Sequence, residues 1–283
     1  MEPTEHSPAR WGQLEKNEIY RMKIERLKKA ELVDYCKSIG IDTDKKGKNV
    51  LMEEAHAYRA KKIKDAKDDD NSESLLITEI EALVQTYSDN LKTKIDERKE
   101  EMKQDDTSHY LIYRVLGISS KDGQLIDEYQ NTGRFLYKYA GSFLEEAASL
   151  CLEYNNPDGQ KTTVENNQGQ RPKTFEIDFL DGNNAIEIKW RDATTDGDHI
   201  TKEHTRVKCI QSHGYKPIRV MFYYPQRTQA QKIQETLKTI YAGVKGEYYA
   251  GDDAWKYIQE YSGYDLKAIL TTIADKRTPE NEG

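Results

Sequence analysis

Two carboxylates and a lysine stand close together in a stretch that predicts a β-hairpin. Residues 175–190 contain two apolar runs separated by Asp181-Gly182-Asn183-Asn184, which are strong turn formers. Side chains alternate between the faces of a strand, so the hairpin places Asp178, Glu187 and Lys189 on one face. Such a group can hold Mg²⁺ and manage a water molecule beside a phosphate. An ordinary cross-strand charge cluster on a solvated face is the alternative.

The spacing of these residues resembles the PD-(D/E)xK nuclease motif, because eight residues separate Asp178 from Glu187-Ile188-Lys189. The resemblance implies that Asp178 and Glu187 ligate Mg²⁺, for which Mn²⁺ can substitute. It also implies that the carbonyl of Ile188 is a further ligand and that Lys189 assists the attacking water. The sequence departs from the motif at Ile177, where the family pattern has a proline.

A further acidic residue is expected near the metal, on the helix that precedes the hairpin. Residues 133–154 carry a wide apolar face that predicts this helix, and Glu145 and Glu146 interrupt the face near its middle. Glu146 or Glu145 is therefore a candidate, and Glu176 on the first hairpin strand is another. A surface carboxylate is the simpler interpretation of Glu145 and Glu146.

Cationic residues around the hairpin are candidates for contacts with DNA. The loop 165–173 is rich in Asn, Gln and Arg, which can read base edges, and the helix predicted after the hairpin has a cationic side that we expect to be exposed. The candidates in this region are Arg171, Arg191, Lys202, His204, Arg206 and Lys208. Polar loops and solvated helix faces also have this composition.

The order of predicted elements agrees with the motif. They are a helix over 133–154, strands over 161–164, 175–180 and 185–190, a helix from about 198, a mostly apolar strand over 217–224, a helix over 228–241, a short strand at 247–249 and two final helices. This contains the αβββαβ order of the PD-(D/E)xK fold. We therefore predict an α/β fold with a mixed sheet flanked by helices, preceded by an N-terminal helical region.

A closer resemblance rests on the segments 186–208 and 214–237, which resemble type II restriction endonucleases of the ApaLI-type group. It covers roughly residues 130–270. It implies a homodimer that cuts a short palindrome in both strands of duplex DNA and leaves 5′-phosphates, with one active site in each subunit. It implies no small-molecule cofactor.

The N-terminal region is basic although the chain is acidic overall. The net charge is −7, yet 16 Lys and Arg face 10 Asp and Glu between Arg10 and Lys67. Residues 17–61 predict two helices around a polar loop, with Gly40 ending the first helix. Their pattern resembles a SAP-type module, which implies phosphate contacts from Lys45, Lys46 and Lys48. A helical hairpin that packs on the main domain or forms a dimer arm is the alternative.

These patterns predict four segments: a basic helical module (1–66), a linker and long helix (67–106), a nuclease domain (107–275) and a flexible tail (276–283). Three widely separated cysteines and the lack of a long apolar stretch predict a cytoplasmic prokaryotic protein without a membrane span. Three other functions stay open from the sequence. They are a structure-selective repair or junction nuclease, a non-catalytic DNA-binding protein on a nuclease-like fold, and, with little support, an RNA-processing enzyme.

Overall fold

A mixed five-stranded sheet forms the centre of the computed structural model, which describes residues 21–169, 171–191 and 197–278. Among these residues the helices are α1 (Arg21–Arg26), α2 (Lys29–Ser38), α3 (Lys48–Asp68), α4 (Ser72–Met102), α5 (Tyr110–Val115), α6 (Ser120–Asn155), α7 (Gly197–Ser212), α8 (Thr228–Gly243), α9 (Asp252–Ser262) and α10 (Leu266–Arg277). The strands are β1 (Gln160–Glu165), β2 (Thr174–Asp181), β3 (Asn184–Arg191), β4 (Lys216–Tyr223) and β5 (Glu247–Ala250).

The strands lie in the order β1-β2-β3-β4-β5, with β1, β2 and β3 antiparallel and β3, β4 and β5 parallel. Parallel neighbours need a crossover, and α7 and α8 supply the two crossovers. Strand β4 is buried along most of its length, which fits its mostly apolar sequence. The predicted αβββαβ order is therefore present as α6-β1-β2-β3-α7-β4.

The predicted hairpin turn joins β2 to β3. Asp181 pairs with Asn184, so Gly182 and Asn183 form the two-residue connection. Gly182 has a φ of 53°, a conformation that glycine adopts without the steric cost of a side chain. The turn thereby fixes which residues of β2 and β3 lie opposite each other.

The N-terminal helices have a small core of their own. Leu32 and Cys36 of α2 and Leu51 of α3 are buried in it, as the sequence pattern predicts. Helix α2 ends where Gly40 takes a φ of 81°, and the Ile41 N–H donates to the Cys36 carbonyl over 2.9 Å. Residues 1–20 of the predicted module lie outside the described residues.

Several predicted boundaries differ from the observed ones. Helix α3 continues to Asp68, so the proposed boundary at residue 66 falls inside a helix. Helix α6 begins at Ser120 rather than at Gly133, since a single glycine costs a helix only about 1 kcal/mol. Helix α10 includes Lys276 and Arg277 of the predicted tail, and residues 279–283 lie outside the described part.

The chain divides into two compact units. The main unit comprises residues 1–81 and 145–283 and contains the sheet, and the helical unit comprises residues 82–144. In the main unit, Cys209 and Ile210 of α7 pack with Val164, Phe175 and Ile177 of the sheet. None of the helices in the described ranges has the length and apolar character needed to cross a membrane.

Candidate active site

Asp178, Glu187 and Lys189 lie together, as the hairpin predicts. The Lys189 Nζ contacts Glu187 Oε1 and lies 4.0 Å from Asp178 Oδ2. Asp178 and Glu187 are only 4% and 3% exposed, whereas the Lys189 side chain is 35% exposed. Two buried carboxylates thus share one ammonium that is open to solvent.

An early end to strand pairing positions Asp178. The pairing of β2 with β3 runs from Asp181–Asn184 only to Phe179–Ile186. Beyond it, the Ile188 N–H donates to Asp178 Oδ2 over 2.8 Å, so a side chain replaces a backbone partner. Aspartate has an oxygen that can accept this bond while its other oxygen stays available.

A β-bulge in the pairing of β2 with β1 also affects the direction of the Asp178 side chain. Gln160 pairs with Leu180 and Thr162 pairs with Ile177, so Lys161 alone stands opposite two residues of β2, Asp178 and Phe179. Bulges bend a strand locally and redirect its side chains, and they are common beside active sites.

A second group of acids adjoins Asp178. Carboxylate oxygens of Glu145, Glu176 and Asp178 lie within 4.8 Å of one another. The Lys161 Nζ lies 2.9 Å from Glu145 Oε1, 2.8 Å from Glu176 Oε1 and 3.7 Å from Asp178 Oδ1. A cation is thus held by three carboxylates, whose oxygens are also the donors that Mg²⁺ prefers. The sequence suggested Glu176 but gave Lys161 no role.

Glu145 rather than Glu146 faces this cluster. Glu146 is 1% exposed and pairs with Arg26 of α1, so the expectation of a surface carboxylate is wrong for it. Neighbouring residues on a helix point about 100° apart, so only one of the two can face the strands. The sequence narrowed the choice to this pair but could not fix the rotation of α6.

Arg206 does not lie on an exposed helix side as predicted. Its Nη2 donates to Glu187 Oε2 and to the Glu176 carbonyl. Its Nε lies 3.8 Å from Glu203 Oε1, and Glu203 Oε2 accepts from Arg219 Nη1 over 3.2 Å. Arg206, Glu203 and Arg219 therefore form a row of alternating charges, mostly buried, that ends at Glu187 and stabilises its carboxylate. The spacing of Glu203 and Arg206 by three residues was the only hint in the sequence.

The pKa values of the two central carboxylates are shifted in opposite directions. Burial, and then the charge of Glu187, raise the pKa of Asp178 well above its ordinary value. Burial acts in the same direction on Glu187, but Lys189 and Arg206 outweigh it and lower the pKa of Glu187. Burial lowers the pKa of Lys189, whereas Glu187 and Asp178 raise it further, so the net shift is upward. Their surroundings therefore favour the ionised forms of Glu187 and Lys189, and they favour the protonated form of Asp178 more than water does.

The other candidate DNA contacts lie at the surface. Arg171, Arg191, Lys202, His204 and Lys208 are exposed. In the N-terminal loop Lys45 is exposed, Lys48 is half-buried, and the Lys46 Nζ donates to Glu54 over 2.8 Å. These side chains can reach the phosphate backbone of a bound DNA, and their roles in DNA binding stay predictions.

Residues 45–275 match the model of a protein family described as ApaLI-like restriction endonuclease. No curated protein and no solved structure matches the chain. The match includes every residue of the site described above, and it confirms the resemblance to the ApaLI-type group and the restriction-endonuclease-like α/β fold. It begins after α2, so the SAP-type resemblance is not confirmed.

Proposed function

Because the chain belongs to the ApaLI-like restriction endonuclease family, which makes it a type II restriction endonuclease, we propose that it hydrolyses both strands of duplex DNA at a short palindromic site in a reaction that requires Mg²⁺. The observation that carries the proposal is the meeting of Asp178, Glu187 and Lys189 at the open end of the β2–β3 ladder.

Asp178 and Glu187 are the proposed metal ligands, with the carbonyl of Ile188 as a third. The N–H and C=O of a strand residue point toward the same edge, and the Ile188 N–H points to Asp178. The carbonyl therefore faces the side on which the ladder has ended. Oxygen donors of this kind suit Mg²⁺ and allow Mn²⁺ in its place. The neighbouring Glu145 and Glu176 extend the set of acids around Asp178.

In the proposed mechanism each side chain has a separate task. When held by Asp178 and Glu187, a divalent ion would lower the pKa of a water molecule and polarise the scissile phosphate. Lys189 holds its proton, because its pKa is raised, and therefore orients the attacking water and offsets negative charge on the phosphate. Arg206 keeps Glu187 ionised and in place. In-line attack leaves a 5′-phosphate and a 3′-hydroxyl.

The exposed cations supply the proposed grip on DNA. Arg191 follows Lys189 by two residues on β3 and so lies on the same face of the strand. Lys202, His204 and Lys208 project from α7, and Arg171 lies in the loop before β2. Lys45, Lys46 and Lys48 would add phosphate contacts from the N-terminal loop. We further propose a homodimer in the prokaryotic cytoplasm, with which three free, buried cysteines are compatible.

Digestion of a long phage DNA with Mg²⁺ tests the proposal. We expect discrete bands on a gel and no cleavage in EDTA. Asp178→Ala and Lys189→Ala should each lose at least about two orders of magnitude in rate, the effect of removing one positioned catalytic group. A smear would indicate a non-specific or structure-selective nuclease, and unchanged DNA would favour a binding protein. Cleavage by either variant at the wild-type rate would refute the assignment of these residues.

A further inference from the structure

The ammonium of Lys161 lies among three of the acids in the site. Its Nζ is 2.9 Å from Glu145 Oε1, 2.8 Å from Glu176 Oε1 and 3.7 Å from Asp178 Oδ1. The carboxylate oxygens of these acids lie within 4.8 Å of one another. Oxygen ligands on opposite sides of a Mg²⁺ ion are about 4.2 Å apart, since each lies about 2.1 Å from the ion. The three acids are therefore spaced almost as metal ligands are, and the ammonium of Lys161 lies between them.

The backbone around Lys161 places its side chain in the site. Lys161 is the β1 residue at the bulge, opposite Asp178 and Phe179. Two residues before it, Gly159 lies so close to the ring of Phe179 that a Cβ at this position would clash. The start of β1 is thus packed directly on β2, beside Asp178. The Lys161 side chain is only 20% exposed, although lysine side chains are mostly exposed in proteins, so the ammonium is held in the site rather than directed into solvent.

Asp178 lies between two ammonium groups. Lys161 approaches its Oδ1 to 3.7 Å, and Lys189 approaches its Oδ2 to 4.0 Å. Both distances exceed the roughly 3 Å of a direct hydrogen bond, so neither ammonium uses a coordination position of Asp178. Lys161 instead contacts Glu145 and Glu176 directly, and its charge reduces their repulsion of Asp178. Asp178 can then bind one metal ion while Lys161 occupies the neighbouring acids.

The charges of the site balance with one divalent ion. In the described part of the chain, the four carboxylates and three cations that meet in the site are Glu145, Glu176, Asp178 and Glu187, and Lys161, Lys189 and Arg206. Glu203 and Arg219, which lie beyond Arg206, add one charge of each sign. With every acid ionised, as metal binding requires, the site carries one negative charge in excess. One divalent ion changes this to one positive charge, which a single phosphodiester neutralises. A second divalent ion would leave two uncompensated positive charges in a largely buried site, which is costly.

We propose that Lys161 takes the place of a second divalent ion, so that each active site holds one Mg²⁺, bound by Asp178 and Glu187. This role of Lys161 deepens the proposed function and rests on it, since that function assigns the metal to Asp178 and Glu187. Lys161 is a positioning residue in this arrangement, because it keeps Glu145 and Glu176 neutralised beside Asp178. An ammonium offsets negative charge but does not lower the pKa of a water molecule as a metal ion does. The single ion must therefore supply all of the metal chemistry in the reaction.

Binding of Mn²⁺ to the full chain without DNA, measured by electron paramagnetic resonance, tests the role of Lys161. The wild type should bind one Mn²⁺ at the site. Lys161→Met nearly keeps the length of the side chain but removes its charge, and it should raise the affinity for a second Mn²⁺ at least about tenfold. Two ions that share Asp178 lie about 4 Å apart, so their spins couple and change the spectrum. Lys161→Arg retains the charge and should bind one ion. Lys267→Met is the control, because it removes the same charge from an exposed pair with Asp252 and should also bind one ion.

Two coupled Mn²⁺ ions in the wild type, or no coupled pair in Lys161→Met, would overturn the proposal. Circular dichroism checks folding, and Lys161→Gln replaces the methionine variant if that variant does not fold. The double variant Lys161→Met, Glu176→Gln should lose the second ion, and a coupled pair that persists in it would also overturn the proposal. If the ion numbers are as expected but the protein cleaves no DNA, the proposed function is refuted and the role of Lys161 is supported. Site-specific cleavage by a wild type that holds two coupled ions has the opposite meaning.

Discussion

At the level of single side chains, the negative charge of Asp178 is destabilised by burial and by its neighbour Glu187. The pKa of Asp178 is raised by burial and by Glu187, so the folded protein keeps a proton that the unfolded chain releases. Stability without metal therefore falls as pH rises from the ordinary aspartate range through the raised pKa of Asp178. The same electrostatic cost favours the binding of any cation that brings positive charge to Asp178.

Asp178→Asn tests this linkage, because asparagine can still accept the Ile188 N–H bond without carrying charge. At neutral pH and in EDTA, we expect the variant to unfold with a free energy about 1 kcal/mol or more above that of the wild type. The difference should shrink toward pH 4, near the ordinary aspartate pKa, because below that pKa Asp178 is protonated in both states. Thermal unfolding between pH 4 and 8 measures it. A wild type that is more stable than the variant at neutral pH would contradict the assigned pKa direction.

Glu145 and Glu146 offer a matched pair of neighbours. Glu145→Gln removes an acid from the cluster with Glu176 and Asp178, so divalent-ion affinity should fall at least about tenfold, as for other groups that support a metal site. Glu146→Gln should leave that affinity unchanged, because Glu146 pairs with Arg26 instead. Mn²⁺ binding measured by electron paramagnetic resonance compares the two. Equal losses in both variants would argue against the cluster as part of the metal site.

Sequence reasoning identified the central residues but not their supports. Asp178, Glu187 and Lys189 follow from strand alternation, which is a local property. The positions of Glu145 and Lys161 beside Asp178 and the inward orientation of Arg206 depend on the rotation of two helices and on a β-bulge. Those features are set by packing between distant segments, which the spacing of residues in the sequence does not determine.

At the level of helices and strands, a buried ionic group in the main unit joins α3 to the parts of α4 and α6 that belong to this unit. Arg59 of α3 donates to Glu79 of α4 over 2.9 and 2.7 Å, and to Glu153 of α6 over 2.7 Å. All three residues are nearly inaccessible to solvent. The partners lie 20 and 94 residues from Arg59 in the chain, so no local pattern of residues indicates the group.

Removing Arg59 should be costly, because two carboxylates would remain buried without a counterion. Arg59→Met should lower the free energy of unfolding by about 3–5 kcal/mol. The triple variant Arg59→Met, Glu79→Gln, Glu153→Gln should recover part of that loss, since it removes the buried charges as well. Urea denaturation measures both. A loss in Arg59→Met of less than about 1 kcal/mol, the range of an exposed ion pair, would show that the group contributes little.

Considering the chain as a whole, element order was predictable and the division into units was not. Apolar periodicity located the hairpin, the apolar strand β4 and the succession αβββαβ, because each depends on a few neighbouring residues. Leu83 and Leu136 both stand in helices among apolar residues at helical spacing, yet Leu83 is buried and Leu136 exposed. Whether an apolar stripe meets the chain's own core or a partner cannot be decided from its spacing.

Single-turnover cleavage of a duplex that contains the recognition site, followed against Mg²⁺ concentration, tests the central claim most directly. Glu187→Gln preserves the size of the side chain but removes the charge that Lys189 and Arg206 hold in place. We predict that it binds the duplex as the wild type does and cleaves it at least about 100-fold more slowly at every Mg²⁺ concentration. A variant that cleaves at the wild-type rate, or a wild type whose rate is unaffected by EDTA, would contradict the account.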